Sequence, residues 1–242
     1  MIENDVVITT KYGRQPAFAA CPDRPGQFPP VILYMDAPGF REELRNMGRR
    51  IANQGFYCLV PDLYYRLGTL RFDIPRRNDA MSVVIRGAMK SLTIAAVMDD
   101  TAGMIGFLDA QDKVKPGPLG CVGHCMSGPF AIAAAAHFPR MKAAASLYGV
   151  DLVTDQPDSP HLMLDRVGGE LYIGFAEVDP SVPATIVPAL QAALAKAGTR
   201  HRMETFAGSH HGFCFPARND YQAIAAEASF ATILDMWNRN LA

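Results

Sequence analysis

The sequence predicts an α/β protein, a mostly parallel sheet with helices on both faces. Three observations carry this. Short apolar runs of strand length alternate with longer stretches of helical period or alanine-rich composition. The apolar runs lack the in-and-out alternation of a half-solvated strand, as expected when both faces of a sheet are covered. No Ser- or Gly-rich linker, internal repeat or low-complexity tract interrupts the 242 residues, which predicts one domain over 1–242.

Taken in order, "PPVILYMDAPGF" (29–40) has a proline entry, an apolar run and a Pro-Gly exit, and reads as a buried strand with its loop. In the next stretch Leu44, Met47, Gly48 and Ile51 fall on one helical face, and Gly55 supplies a stop. "YCLVPDLYYR" (57–66) is a second strand and loop. Residues 67–95 mix charge, proline and apolar residues without one period, and read as an excursion holding one or two short helices near a binding site. A helix follows over 94–111, then a turn and the short strand Leu119–Gly123, and then the alanine-rich helix of "SGPFAIAAAAHF". Strands are expected at 141–150, at "GELYIGFAEVD" and at "HRMETFAG", with a helix between the last two. The final helix carries Phe230, Ile233, Leu234, Trp237 and Leu241 on one stripe.

Charge and composition narrow the function. The net charge is −1, with no basic run and no acidic tail, so neither nucleic acid nor an anionic membrane is an expected partner. No apolar stretch reaches membrane-spanning length, and the acidic first residues do not resemble a signal peptide, so a cytoplasmic location is expected. Five scattered cysteines do not make a disulfide framework, and no pair of ligand groups has zinc spacing, so no metal is expected.

One cysteine stands apart. In "GHCMSG" Cys125 lies where a buried strand hands over to a helix, with Gly123 two residues before it and Ser127 and Gly128 after it. A nucleophile elbow needs small neighbours there, because the turn is too tight for large side chains. A thiol at a helix N-terminus also feels the positive end of the dipole, which favours the thiolate. The next backbone N–H, that of Met126, can serve a developing oxyanion. The competing interpretation is a small buried hydrophobe, which suits Cys58 and Cys121 inside their apolar strands.

A triad on such a sheet expects an acid and then a histidine, each after a strand. "FAGSHHGFCFP" offers His210 and His211, and spacing alone does not choose between them. "LYIGFAEVDPSVP" offers Glu177 and Asp179, of which Asp179 sits at the strand exit, where an aspartate can also be an N-cap.

With these residues the chain resembles the dienelactone hydrolase family of the α/β-hydrolase superfamily. The likeness is carried by "GHCMSG" (123–128), "EVDPSVP" (177–183), "HHGFCFP" (210–216), "VILYMDAPGF" (31–40) and "GFYCLVPDLYYR" (55–66). It implies Cys125 as nucleophile, Asp179 as acid and His211 as base. It implies the backbone N–H groups of Ala37 and Met126 as the oxyanion hole. It also implies Asp36, where the family typically has a glutamate, as the carboxylate that pairs with the resting thiol. The family uses arginines to hold a substrate carboxylate, one of them soon after the histidine; here the first arginine after His211 is Arg218, and Arg71, Arg76, Arg77 and Arg86 lie in the excursion. The implied activity is hydrolysis of a small-molecule ester or lactone through a thioester acyl-enzyme, with no cofactor. A thioesterase, and a non-catalytic or redox-responsive binding module on the same fold, are the alternatives.

Overall fold

A computed structural model of the chain describes residues 1–241. It divides into two compact units that meet in sequence at Leu119 and Gly120.

The first unit opens with a hairpin that sequence patterning did not single out, β1 (Ile2–Thr10) and β2 (Gly13–Cys21), paired antiparallel from Ile2↔Cys21 to Thr10↔Gly13. Acidic residues in the edge strand β1, and Pro16 in β2 just outside the Ala17–Ala20 stretch that pairs with β4, hide the strand pattern. β2 pairs antiparallel with β4 (Tyr57–Pro61), and β3 (Pro30–Tyr34) pairs parallel with β4, giving the order β1-β2-β4-β3. β3 and β4 are buried at every position, as their unbroken apolar runs require.

Helix α1 (Glu42–Asn53) buries Leu44, Gly48, Ile51 and Ala52. The excursion resolves into a short 3-10 turn at Ile74–Arg76 and helix α2 (Asp79–Lys90), capped by the Asn78 side chain, which accepts from Met81 N–H. Helix α3 (Ile94–Asp109) follows, capped by Thr93.

The second unit carries β5 (Leu119–His124), β6 (Met141–Leu147), β7 (Glu170–Val178) and β8 (Arg200–His210) in that spatial order. β6 and β7 are parallel, as are β7 and β8. Helices α4 (Gly128–His137) and α5 (Ile186–Ala197) lie in the β5–β6 and β7–β8 connections, and α6 (Ala223–Leu241) follows β8. Of the expected stripe on α6, Ile233, Trp237 and Leu241 are buried, and Trp237 is fully enclosed. Among the described residues no single helix is long and apolar enough to cross a membrane.

Candidate active site

The end of β5 has the geometry that its sequence requires. Cys125 adopts φ +54°, a left-handed conformation uncommon for a non-glycine residue, at the start of a 3-10 turn that runs directly into α4. A side chain at Gly123 would place its Cβ 2.0 Å from the Ser127 carbonyl oxygen, so only glycine permits the turn. The second small position falls at Gly128, where a Cβ would lie 2.5 Å from both Gly149 Cα and Ser146 Oγ. That packing explains why Ser127 can replace the usual second glycine: the close approach has moved one residue along. Pro129 sits in the first turn of α4, where a missing N–H leaves no helical bond unmade.

Two loops of the same unit bring side chains to the cysteine. Asp179 follows β7, with its side chain only 3% exposed. One carboxylate oxygen accepts from Ser181 N–H at 2.9 Å, and the other accepts from His211 Nδ1–H at 2.7 Å. Helix α5 starts further on, at Ile186, so Asp179 braces its own loop and a histidine rather than capping the helix. Glu177 is instead exposed and accepts from Gly208 N–H at 2.7 Å, tying the end of β7 to β8.

His211 follows β8 and is half-buried, whereas His210 is exposed. The His211 Nε2 atom lies 3.0 Å from Cys125 Sγ. Cys125, His211 and Asp179 thus stand in one hydrogen-bonded line, with both ring nitrogens engaged. Burial works against the imidazolium, but the hydrogen bonds to Asp179 and Cys125 outweigh it, and the His211 pKa is raised to about 9. The other cysteines differ in kind: burial alone pushes the Cys58 and Cys121 thiols up, and both sit inside strands. None of the five cysteines is in a disulfide. No group of three or more acidic, histidine or cysteine side chains among the described residues could hold a metal ion.

The turn after His211 brings in a cation that linear spacing made seem remote. Gly212 has φ +92°, and successive turns, Phe215 N–H to Gly212 O and Arg218 N–H to Phe215 O, fold the chain back on itself. A Cβ on Gly212 would lie 2.7 Å from Arg218 Nη1. The Arg218 guanidinium therefore packs against the residue next to His211, six positions away in sequence.

In the first unit, Ala37 lies in the buried loop that leaves β3. Gly39 N–H donates to Asp36 O at 2.8 Å, closing a turn, and Gly39 takes φ +81° with the Tyr64 ring against it. Tyr64 O–H donates to Ala37 O at 2.9 Å. The Asp36 carboxylate is fully buried and receives both terminal nitrogens of Arg41, which also donates to Glu43 and to Gly39 O. Arg41 was not legible as a partner for Asp36. In the excursion Arg71 lies 3.6 Å from Asp62, Arg76 3.6 Å from Asp73, and Arg77 donates to Ser82.

Comparison with known proteins places the chain in a family. The dienelactone hydrolase family matches residues 16–241. A Synechocystis protein named "Putative carboxymethylenebutenolidase" is 26% identical over 227 residues, 93% of this chain and 91% of its own. A Methylorubrum extorquens protein of the same name is 26% identical over 243 residues, 99% of this chain and 81% of its own. Among solved structures, one described as "Putative Dienelactone Hydrolase" from Klebsiella pneumoniae superimposes with a TM-score of 0.88 at 23% identity, covering 98% of each chain. With nearly its whole length matched, the chain belongs to the dienelactone hydrolase family, hydrolases of ester or lactone bonds built on the α/β-hydrolase fold.

Proposed function

We propose that this chain hydrolyses a small-molecule ester or lactone through Cys125, His211 and Asp179, by way of a thioester on Cys125. The observation that carries the reading is the line of contacts from Cys125 Sγ to His211 Nε2 at 3.0 Å and from His211 Nδ1 to Asp179 at 2.7 Å. The thiol proton passes to His211 Nε2 as sulfur attacks the acyl carbon, and the carbonyl π electrons move onto oxygen. The N–H of Met126 receives that oxyanion, with the N–H of Ala37 as the second donor the family resemblance assigns. As the tetrahedral intermediate collapses, His211 Nε2–H gives its proton to the departing alkoxide, and the C–O bond breaks. Water then attacks the thioester while His211 takes its proton, the C–S bond breaks with the Cys125 thiolate as leaving group, and the acid product is released. Asp179 holds the imidazole in the tautomer that keeps Nε2 available.

The family resemblance gives Asp36 the role of carboxylate for the resting thiol, a role for which its pair with Arg41 would have to open. Arg218 beside Gly212 favours substrates that carry a carboxylate near the scissile bond, a cation-to-carboxylate pairing that arginine makes well. The test is hydrolysis of an activated aryl ester at neutral pH. Cys125→Ala is expected to lose at least about a hundredfold in turnover; an unchanged rate would exclude the cysteine mechanism and revive the binding-module alternative.

A further inference from the structure

Tyr148 follows β6 immediately and occupies φ +38°, a conformation that a bulky side chain adopts only when its surroundings compel it. Its N–H donates to Gly174 O on β7 at 2.7 Å, which pins the backbone in that state. The ring is completely buried. It meets the His211 ring edge to face, with centroids 5.1 Å apart and planes at 64°. It meets Phe213, two residues beyond His211, at 5.1 Å and 68°. Phe213 in turn leans on Phe206 of β8 at 5.1 Å.

These are the separations and tilts that aromatic pairs prefer. The catalytic line needs such a wall. The last torsion of a histidine side chain is broad, so two hydrogen bonds alone leave the ring free to tilt. A small residue would take the left-handed turn at less cost, and a leucine would fill the space without a flat face.

We propose that Tyr148 is a positioning residue for the hydrolysis, its buried ring fixing the plane of His211 so that Nε2 stays aimed at Cys125. This rests on the triad reading above. The strained backbone at the end of β6 is the device that turns the ring toward the histidine. Tyr148 also meets the ring of His124, the residue before Cys125, with centroids 5.8 Å apart; its proposed effect on the triad is exerted through the His211 ring.

The test compares wild type, Tyr148→Phe, Tyr148→Leu and Cys125→Ala on a neutral activated aryl ester across pH, with a melting curve for each. Tyr148→Leu is expected to lower kcat by about tenfold to a hundredfold while KM stays within about twofold. Its alkaline limb should move from near 9 toward the ordinary histidine value of about 6.5 as the imidazolium loses its aligned partners. Tyr148→Phe, which keeps the ring, should retain both kcat and the limb. A Tyr148→Leu enzyme with unchanged kcat and pH profile overturns the proposal, and so does a Tyr148→Phe enzyme as impaired as Tyr148→Leu. If Tyr148→Leu does not fold, Tyr148→Met takes its place; failure of both to fold also counts against the proposal, because it makes the ring a purely structural one. The control separates the two layers: a rate indifferent to Cys125 removes the triad reading, whereas a Cys125-dependent rate indifferent to the Tyr148 ring removes only the role of Tyr148.

Discussion

Two loops, one leaving β3 and one leaving β7, each carry a buried aspartate, and the two have been given different partners. Asp36 faces Arg41, whose two terminal nitrogens reach both of its oxygens. Asp179 faces His211 with one oxygen and the backbone of Ser181 with the other. Residue type and burial are alike, so the partner decides what each carboxylate can do. A guanidinium keeps its charge at every accessible pH, which makes Asp36 and Arg41 a fixed pair. An imidazole gains and loses a proton, which makes Asp179 the support of a group that can cycle.

That contrast is broken most severely at Asp179. Asp179→Asn preserves shape but offers His211 a donor where it needs an acceptor, and turnover should fall by roughly a thousandfold to ten-thousandfold. The same variant sharpens the pH argument. Because the His211 pKa is raised to about 9, the proton adds stability that is full below the unfolded value of about 6.5 and is lost as pH rises through about 9. Wild type should therefore lose melting temperature over that window, and Asp179→Asn should show a flatter profile.

Asp36→Asn should act with the opposite emphasis. Loss of a charge-assisted pair inside the loop is expected to cost about 2 kcal/mol by chemical denaturation. Its effect on turnover should be no more than about a hundredfold, smaller than that of Asp179→Asn. Equal effects of the two variants on rate would erase the distinction between a fixed and a cycling pair.

The smallest expected effect lies at Arg218. Arg218→Gln should reduce preference for carboxylate-bearing over neutral esters by about tenfold, read as a ratio of kcat/KM values, with the neutral ester little changed. A constant ratio would mean that this guanidinium serves the local packing, against Gly212 and the Phe215 ring, rather than the substrate.

What could be read from the chain was what is local. The elbow was legible because Gly123, Cys125, Gly128 and Pro129 all act within one turn and each has a steric reason to be there. The order of Cys125, Asp179 and His211 could be proposed because each follows a strand, apolar in β5 and β7 and alternating in β8. The choice between His210 and His211 was not, since adjacent residues share every local signal; the bend after β8 exposes one and turns the other inward.

The β1–β2 hairpin escaped because the edge strand β1 tolerates acids, and Pro16 sits in β2 just outside the stretch that pairs with β4. Arg41 and Arg218 escaped for another reason. Arg41 reaches Asp36 across one turn and Arg218 reaches Gly212 through two, and the direction of such a path is not encoded in any one residue. Helix α2 was blurred because it is apolar on two faces: Ile85 and Ala88 are buried, while Val83 and Val84 remain exposed.

The most direct test of the account is to catch the acyl group on sulfur. An activated aryl ester is mixed with wild-type protein, quenched in acid within one turnover, and the intact mass is read alongside Cys125→Ala. The account predicts a mass increase of one acyl group, mapped to Cys125, released by neutral hydroxylamine and absent from the variant. Turnover by wild type with no adduct at any quench time, together with a Cys125→Ala enzyme that keeps its rate, would contradict it.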